Sequence, residues 1–328
     1  MQPAITNLTE DKETLQFTLN GCNVSVANAI RRILVTNIKN VILNSATLPN
    51  GEQAEGFNIF KNTSRFNNEI LKQRLGCIPV HITDLSMPVD QYVVELDVKN
   101  ETSECIIVTT EHFKIRNVKT SKYLTESNVH KIFPKNSHTQ QYIDILRLRP
   151  KISSELPGEE IHIVCPLAIR TAHDNPSYNV VSTCAYGNTP NTELIGSKWT
   201  EYESEMKKNG DDIDNYKNWH IINSQRHSIP NSYDFIVKSC SVFTNIDLVK
   251  NACATMNEKV NTCIIEKCND GTIEIKESEN NIDNCYDIIL DGEDYTIGKV
   301  IEHLLYDLYY IGDRSLTYCG FSKPHPHI

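Results

Sequence analysis

Apolar residues recur along this chain in two periods, and one arrangement of them occurs twice. Near the start, "TLQFTL" (residues 14–19) alternates like a strand, Gly21 and Asn23 turn the chain, and Ser25 stands where a helix cap is needed. Val26, Ile30, Ile33 and Ile38 then share one helical face, widened by Ala29 and Leu34. Late in the chain "YDIIL" (286–290) reads as strand, "DGED" as turn and Thr296 as cap. A stripe of Ile297, Ile301, Leu304, Leu305 and Leu308 follows. Residues 19–38 and 290–309 align without a gap, Leu19 with Leu290, Gly21 with Gly292, Ile30 with Ile301 and Leu34 with Leu305. Asn20 and Asn23 face Asp291 and Asp294, Ser25 faces Thr296, and Ala27 faces Gly298. Each apolar face is too wide to be stable alone. The favoured expectation is one structural unit used twice, its copies burying Ile30/Ile33 against Ile301/Leu304.

Between the repeats the texture changes. Residues 64–75 predict a short helix stopped by Gly76 and Pro79. Alternation predicts strands over 91–98, 104–115, 142–150, 159–169 and 234–242. Residues 188–232 are polar and carry the charge run "EYESEMKKNGDDIDNYKNW", which reads as a long surface excursion. Residues 245–265 predict an amphipathic helix with Ile246, Val249, Cys253, Met256 and Val260 on one side. The class is α+β. Its expected order is a first half over 1–39 and 228–268, a mostly-β insert over 40–227, and a second half over 269–328.

At 328 residues the chain has room for about two domains. A hydrophobic content of 39% and a charged content of 23% are ordinary for globular protein. No apolar run approaches the ~20 residues that span a bilayer, so no membrane partner is expected. The acidic N-terminus lacks an apolar signal-peptide core. The 11 cysteines are therefore expected as free thiols in a reducing compartment. A net charge of −10 argues against a direct nucleic-acid site. Asparagine far outnumbers the 13 glycines, a bias that goes with AT-rich codons.

"NAIRRILVTNI" resembles the first-helix motif of the α-like subunits of multisubunit RNA polymerases: bacterial α, archaeal D and the eukaryotic third-largest subunit. Asn28, Ala29, Arg31 and Arg32 stand where that family has Asn-Ala-Leu-Arg-Arg, with Ile30 for Leu. "NTSRFNNEILKQRLGCIPV" is similar to a second family signature through Asn62, Ser64, Glu69, Arg74, Leu75, Gly76, Ile78 and Pro79. "AHDNPSYNVVST" looks like a diverged family loop, with His173 and Tyr178 at its His and Trp, two extra residues of spacing, and Val180 for Pro. The second repeat is similar to a different subunit, archaeal L or the eukaryotic eleventh, through Glu293, Asp294, Thr296 and Gly298. Tyr295 replaces its His and Lys299 its Asn. Gly320, Phe321, Pro324, His325 and Pro326 match that subunit's later segment, which normally continues beyond where this chain stops at Ile328.

The resemblance implies an RNA polymerase α-like dimerisation fold in two halves with an inserted mostly-β domain, both halves on one polypeptide. Such fusion is familiar from large cytoplasmic DNA viruses, which implies the virion and host cytoplasm as its setting. It implies a non-catalytic assembly platform that docks the second-largest and largest subunits, with small polymerase subunits as further partners and no cofactor. Arg31, Arg32 and the Arg74–Pro79 turn become the expected docking faces, with the His173–Tyr178 loop as a further candidate.

A rival comes from another class. "GEDYTIGKV" stands between strand and helix like a P-loop, so a free-standing nucleotide-dependent enzyme could use the Gly292–Lys299 turn. Five residues rather than four separate Gly292 from Gly298, and Val300 follows Lys299 where Ser or Thr is needed. Asp211, Asp212 and Asp214 have the chemistry of a two-metal site but lie in the most polar stretch. No cysteine pair has Cys-x₂-Cys spacing, so no structural zinc is expected; Cys263, Cys268, His325 and His327 would be the first ligands to suspect.

Overall fold

The alternating residues 14–19 do form a strand, and the strands beside it come from the chain's start and from beyond residue 180. The computed structural model describes residues 2–11, 13–45, 56–153, 157–209, 216–279 and 282–323. In chain order its elements begin with β1 (Ala4–Asp11), β2 (Thr14–Asn20), α1 (Val24–Thr36), β3 (Asn40–Leu43), β4 (Asn58–Asn62) and α2 (Asn68–Gly76). Next come β5 (Tyr92–Lys99), β6 (Ile106–Thr109), β7 (Lys114–Asn117), α3 (Glu126–Ile132), β8 (Asp144–Leu148) and β9 (Glu160–Arg170). Then follow β10 (Val181–Pro190), α4 (Thr192–Asn209), α5 (Tyr216–Ile222), β11 (Ser228–Ser239) and α6 (Asn245–Val260). The last are α7 (Lys267–Asn269), β12 (Glu274–Glu277), β13 (Tyr286–Ile289) and α8 (Tyr295–Leu305). One unit takes Met1–Val35, Val181–Ser239 and Asn245–Ile328, and a second takes Thr36–Val180 and Cys240–Thr244.

In the first unit an antiparallel sheet runs β1-β2-β11-β10. Leu15, Phe17 and Leu19 of β2 and Tyr233, Phe235 and Val237 of β11 are buried, every second residue, as a sheet with one covered face requires. Phe17 sits opposite Phe235 and the rings stack with centroids 5.0 Å apart. α6 lies on these two strands and buries Leu248 and Ala252. Buried Asn245, its first residue, accepts from Ser239 N at 2.7 Å and donates to Glu10 Oε1 at 2.8 Å and Glu13 O at 2.9 Å. One side chain thus ties β11 to the β1–β2 hairpin. α1 buries Ala27, Ala29, Ile30, Ile33 and Leu34. β12 and β13 form a separate hairpin.

The second unit is built on a sheet ordered β3-β9-β5-β7, with β4 also paired to β9. Ile161, Ile163, Cys165 and Leu167 of β9 alternate into a core shared with Val94 and Leu96 of β5 and Leu71 and Leu75 of α2. β6 and β8 make a two-stranded sheet that adds Val108, Ile145 and Leu148.

Several elements differ from the sequence expectation, each for a local reason. The strand expected over 104–115 is split, because Thr109 caps a 3₁₀ turn over Thr110–His112 and sends β6 and β7 to different sheets. The helix expected from 64 starts at Asn68, since Asn67 takes the cap and accepts from Ile70 N at 2.9 Å. The helix expected over 245–265 is α-helical to Val260 and continues in wider π-helical turns over Asn261–Glu266.

The supposed excursion at 188–232 is largely helical. α4 buries no residue, so it shows no apolar period, and its charges pair along the helix, Lys198 with Glu201 and Lys207 with Glu203. Trp199 and Tyr202 pack on buried Trp219 of α5. Asp211, Asp212 and Asp214 lie outside the described residues. The insert boundary expected at 227 falls at 180 instead, because β10 pairs with β11 and so belongs to the first sheet. Among the described residues no helix is long and apolar enough to cross a membrane.

Candidate functional site

The two sequence repeats fold into the same turn. Gly21 and Gly292 both have left-handed φ, +70° and +74°, which a residue without Cβ adopts freely. Asn23 Oδ1 accepts from Ser25 N at 2.9 Å, and Asp294 Oδ1 accepts from Thr296 N at 2.8 Å. The carbonyls of Asn23 and Asp294 then accept from Ala27 N and Gly298 N. Capping therefore falls two residues earlier than Ser25 and Thr296, on the side chains of Asn23 and Asp294. The short Asx side chain reaches back over the open amides of the first turn.

Freed from capping, the Thr296 hydroxyl accepts from Arg32 Nε of α1 at 2.7 Å. The second guanidinium nitrogen of Arg32 pairs with the Asp294 carboxylate. Partial burial pushes the Asp294 pKa up, but the Thr296 hydrogen bonds and the Arg32 charge outweigh it and hold it below the usual value. The neighbouring Glu293, with its side chain 5% exposed, accepts from Lys259 Nζ of α6 at 2.8 and 3.1 Å and from Cys263 Sγ at 3.1 Å. Burial, then the hydrogen bond to Glu293, raises the Cys263 pKa. Two consecutive carboxylates thus fasten the start of α8 to α1 and α6 respectively.

The other side of α8 is closed by the segment that follows it. A Cβ on Gly298 would lie 2.4 Å from the Phe321 ring, so glycine is what lets the ring seat there. Phe321 packs edge-on against Tyr295, and its N donates to Glu302 Oε2 at 2.6 Å. Lys299 Nζ binds the same carboxylate at 2.7 Å. These contacts occupy the groups that a phosphate cradle would need. Asp294 puts a negative charge at the helix start, Lys299 is engaged by Glu302, and Phe321 covers Gly298.

The apolar stripes are only partly covered. Ile30, Ile33 and Ile297 are buried and Ile301 and Leu305 half-buried, but Leu304 is 38% and Leu308 57% exposed. Leu304 and Leu308 therefore lack the burial expected of the second stripe. Arg31 is held within α1, donating through Nε and Nη2 to Asn28 Oδ1 at 3.1 and 2.9 Å.

In the second unit, Gly76, Pro79 and Tyr178 come together at a cleft of about 60 Å³, with Asn40, Ser177 and Ser241 beside them. A Cβ on Gly76 would approach Ser45 Oγ to 3.1 Å. Asn40 Oδ1 is buried there with no hydrogen-bond partner among the described residues. Arg74 points elsewhere: Nε and Nη2 donate to the carbonyls of Ile145 and Asp144, both at 2.8 Å, over the Phe66 ring. Glu69 is exposed in the first turn of α2, where a carboxylate suits the helix dipole. His173 is exposed, and its N donates to Thr36 O at 2.9 Å. His325 and His327 lie outside the described residues, among which no three His, Cys, Asp or Glu side chains converge as metal ligands. Sequence reasoning missed Lys259, Glu302 and Asn40. For Lys259 and Glu302 the available signal was a charged residue beside an apolar helix stripe.

A model of the RNA polymerase Rpb3/Rpb11 dimerisation domain matches residues 16–260. DNA-directed RNA polymerase subunit Rpo3 of Methanosphaera stadtmanae is 25% identical over 201 residues, 61% of this chain and 66% of the relative. Subunit RPAC1 of human DNA-directed RNA polymerases I and III is 22% identical over 215 residues, covering 60% and 58%. A conjugation stage-specific protein of Tetrahymena thermophila is 32% identical over 114 residues, covering 34% and 30%. The chain spans less than two thirds of the length of each of these relatives. The family match stops before the second repeat.

Proposed function

The chain belongs to the RNA polymerase Rpb3/Rpb11 dimerisation-domain family, and on that premise we propose that it is a non-catalytic assembly subunit of a DNA-dependent RNA polymerase. Both dimerisation halves ride on one polypeptide, the first built on β2, α1, β11 and α6 and the second on β12, β13 and α8. The observation that carries this is the contact of Arg32, inside the family's first-helix motif, with Asp294 and Thr296 of the second repeat. Tethering makes the pairing intramolecular and independent of concentration.

The platform docks the second-largest and then the largest subunit, whose own residues perform nucleotidyl transfer, and small polymerase subunits complete it. Arg32 is engaged by Asp294 and Arg74 by the β8 carbonyls, so docking passes to the cleft at Gly76, Pro79 and Tyr178. Asn40 Oδ1 there offers an acceptor to an incoming N–H. A chain charge of −10 supports partners other than nucleic acid. The joined halves and asparagine-rich composition match the resemblance to polymerases of large cytoplasmic DNA viruses, which work in the virion and host cytoplasm.

Native purification followed by mass spectrometry tests the assignment, with two large polymerase subunits expected alongside this chain. Pro79→Arg should leave the chain folded and remove them, while any complex that forms elongates normally. A chain that purifies alone and binds nucleotide saturably with Mg²⁺ would instead favour an enzyme built on the Gly292–Lys299 turn.

A further inference from the structure

A second, larger cleft of about 350 Å³ opens in the second unit between the approach to α2 and β8. Its lining pairs apolar surface from Phe66, Ile145 and Leu146 with three arginines, Arg65, Arg74 and Arg147, against one carboxylate, Asp144. The arginines are not equivalent. Arg74 is committed to the carbonyls of Asp144 and Ile145 and stacks over Phe66, so it builds the wall. Arg65 and Arg147 are exposed, and among the described residues neither side chain has a hydrogen-bond or ion-pair partner. Two free guanidinium groups thus stand beside an apolar floor on a chain of net charge −10.

We infer that this cleft takes an acidic, extended protein segment carrying one aromatic or large apolar anchor residue. Guanidinium groups match carboxylates bidentately, and their positive charge complements an acidic strand. The volume holds a side chain or two, within the range of ligand clefts. Among the described residues β8 pairs only with β6, but Arg74 already occupies carbonyls of Asp144 and Ile145, so recognition falls on side chains rather than strand addition. The Arg74 clamp fixes the wall in advance, which lowers the ordering cost of binding. This inference stands apart from the polymerase assignment, since neither Arg65 nor Arg147 lines the Gly76–Tyr178 cleft.

The test uses the full chain and a fluorescein-labelled peptide, Asp-Glu-Asp-Phe-Glu-Asp, titrated to about 1 mM, the range of weak recognition. Saturable binding is expected, weakened about tenfold or more when Phe is replaced by Ser. It should also weaken as NaCl rises from about 50 to 500 mM. The exposed double variant Arg65→Glu/Arg147→Glu should lose at least about tenfold, and Arg65→Gln/Arg147→Gln somewhat less, with unchanged thermal melting. Absent binding, or equal binding by the variants, overturns the inference. Displacement by inorganic pyrophosphate at equal concentration, with no preference for Phe over Ser, also overturns it by making the occupant a small oxyanion.

Discussion

Arg32 and Asp294 form an ion pair across 262 positions of sequence, with Thr296 accepting a second bond from the same guanidinium. It joins the two repeats at the point where the second helix begins. Both side chains are more than a third exposed, so the pair is worth well under a buried one, about 1 kcal/mol or less. Urea denaturation of Arg32→Ala, Asp294→Ala and the double variant should return a coupling of about 0.5–1 kcal/mol. Both tryptophans, Trp199 and Trp219, lie in the unit containing the pair, so fluorescence follows that unit. Full additivity would mean the repeats are not joined here.

Acid should release the same contact. The folded pKa of Asp294 is lowered, so the unfolded state binds its proton first as pH falls. The stability it contributes is present above the ordinary aspartate pKa and is lost as pH falls through the lowered folded value. Asp294→Asn should therefore cost stability at pH 6 and progressively less towards pH 2, as read by chemical denaturation. A constant difference across that range would remove Asp294 from the account.

Glu293 predicts a larger effect. Its side chain is buried against Lys259, and removing one member of a buried pair leaves a charge uncompensated. Glu293→Ala should cost about 3 kcal/mol. It should also speed alkylation of Cys263, whose raised pKa rests partly on that carboxylate. Peptide mapping after brief iodoacetamide treatment reads this. Unchanged labelling would show that burial alone protects the thiol.

Gly298→Ala forces a Cβ into the Phe321 ring. Overpacking of this kind costs about 1–3 kcal/mol, and here relief comes by lifting residues 319–321 from α8. Hydrogen exchange should rise at Phe321 N, which donates to Glu302. Phe321→Ala should make the Gly298→Ala change nearly neutral. Equal cost in both backgrounds would place the strain elsewhere.

Local grammar was legible in the sequence where it is strictly local. The strand, the glycine-containing turn and the apolar stripe of each repeat could be read directly. The caps were displaced by two residues, because the Asn23 and Asp294 side-chain oxygens take the open amides of Ser25 and Thr296 themselves. Residues 188–232 were illegible as helix because α4 buries nothing, leaving no apolar period to detect. Arg32 and Arg74 looked like docking groups from sequence. Their partners, Asp294 and the β8 carbonyls, lie too far along the chain for spacing to reveal. Asn40 carried no signal at all, since its burial depends on elements distant in sequence.

The placement of β2 beside β11 has a consequence for synthesis. Asn20 pairs with Ser232, so the first sheet cannot close until more than 200 further residues have been made. Ribosomes add about 5–20 residues per second, so β2 waits roughly 10–40 s for β11. Meanwhile Thr36–Val180 emerges almost complete and can fold first, shortening the effective loop that must be closed. Nascent chains released near residue 180 should therefore contain a protease-resistant core beside an unprotected, chaperone-binding N-terminal hairpin and helix.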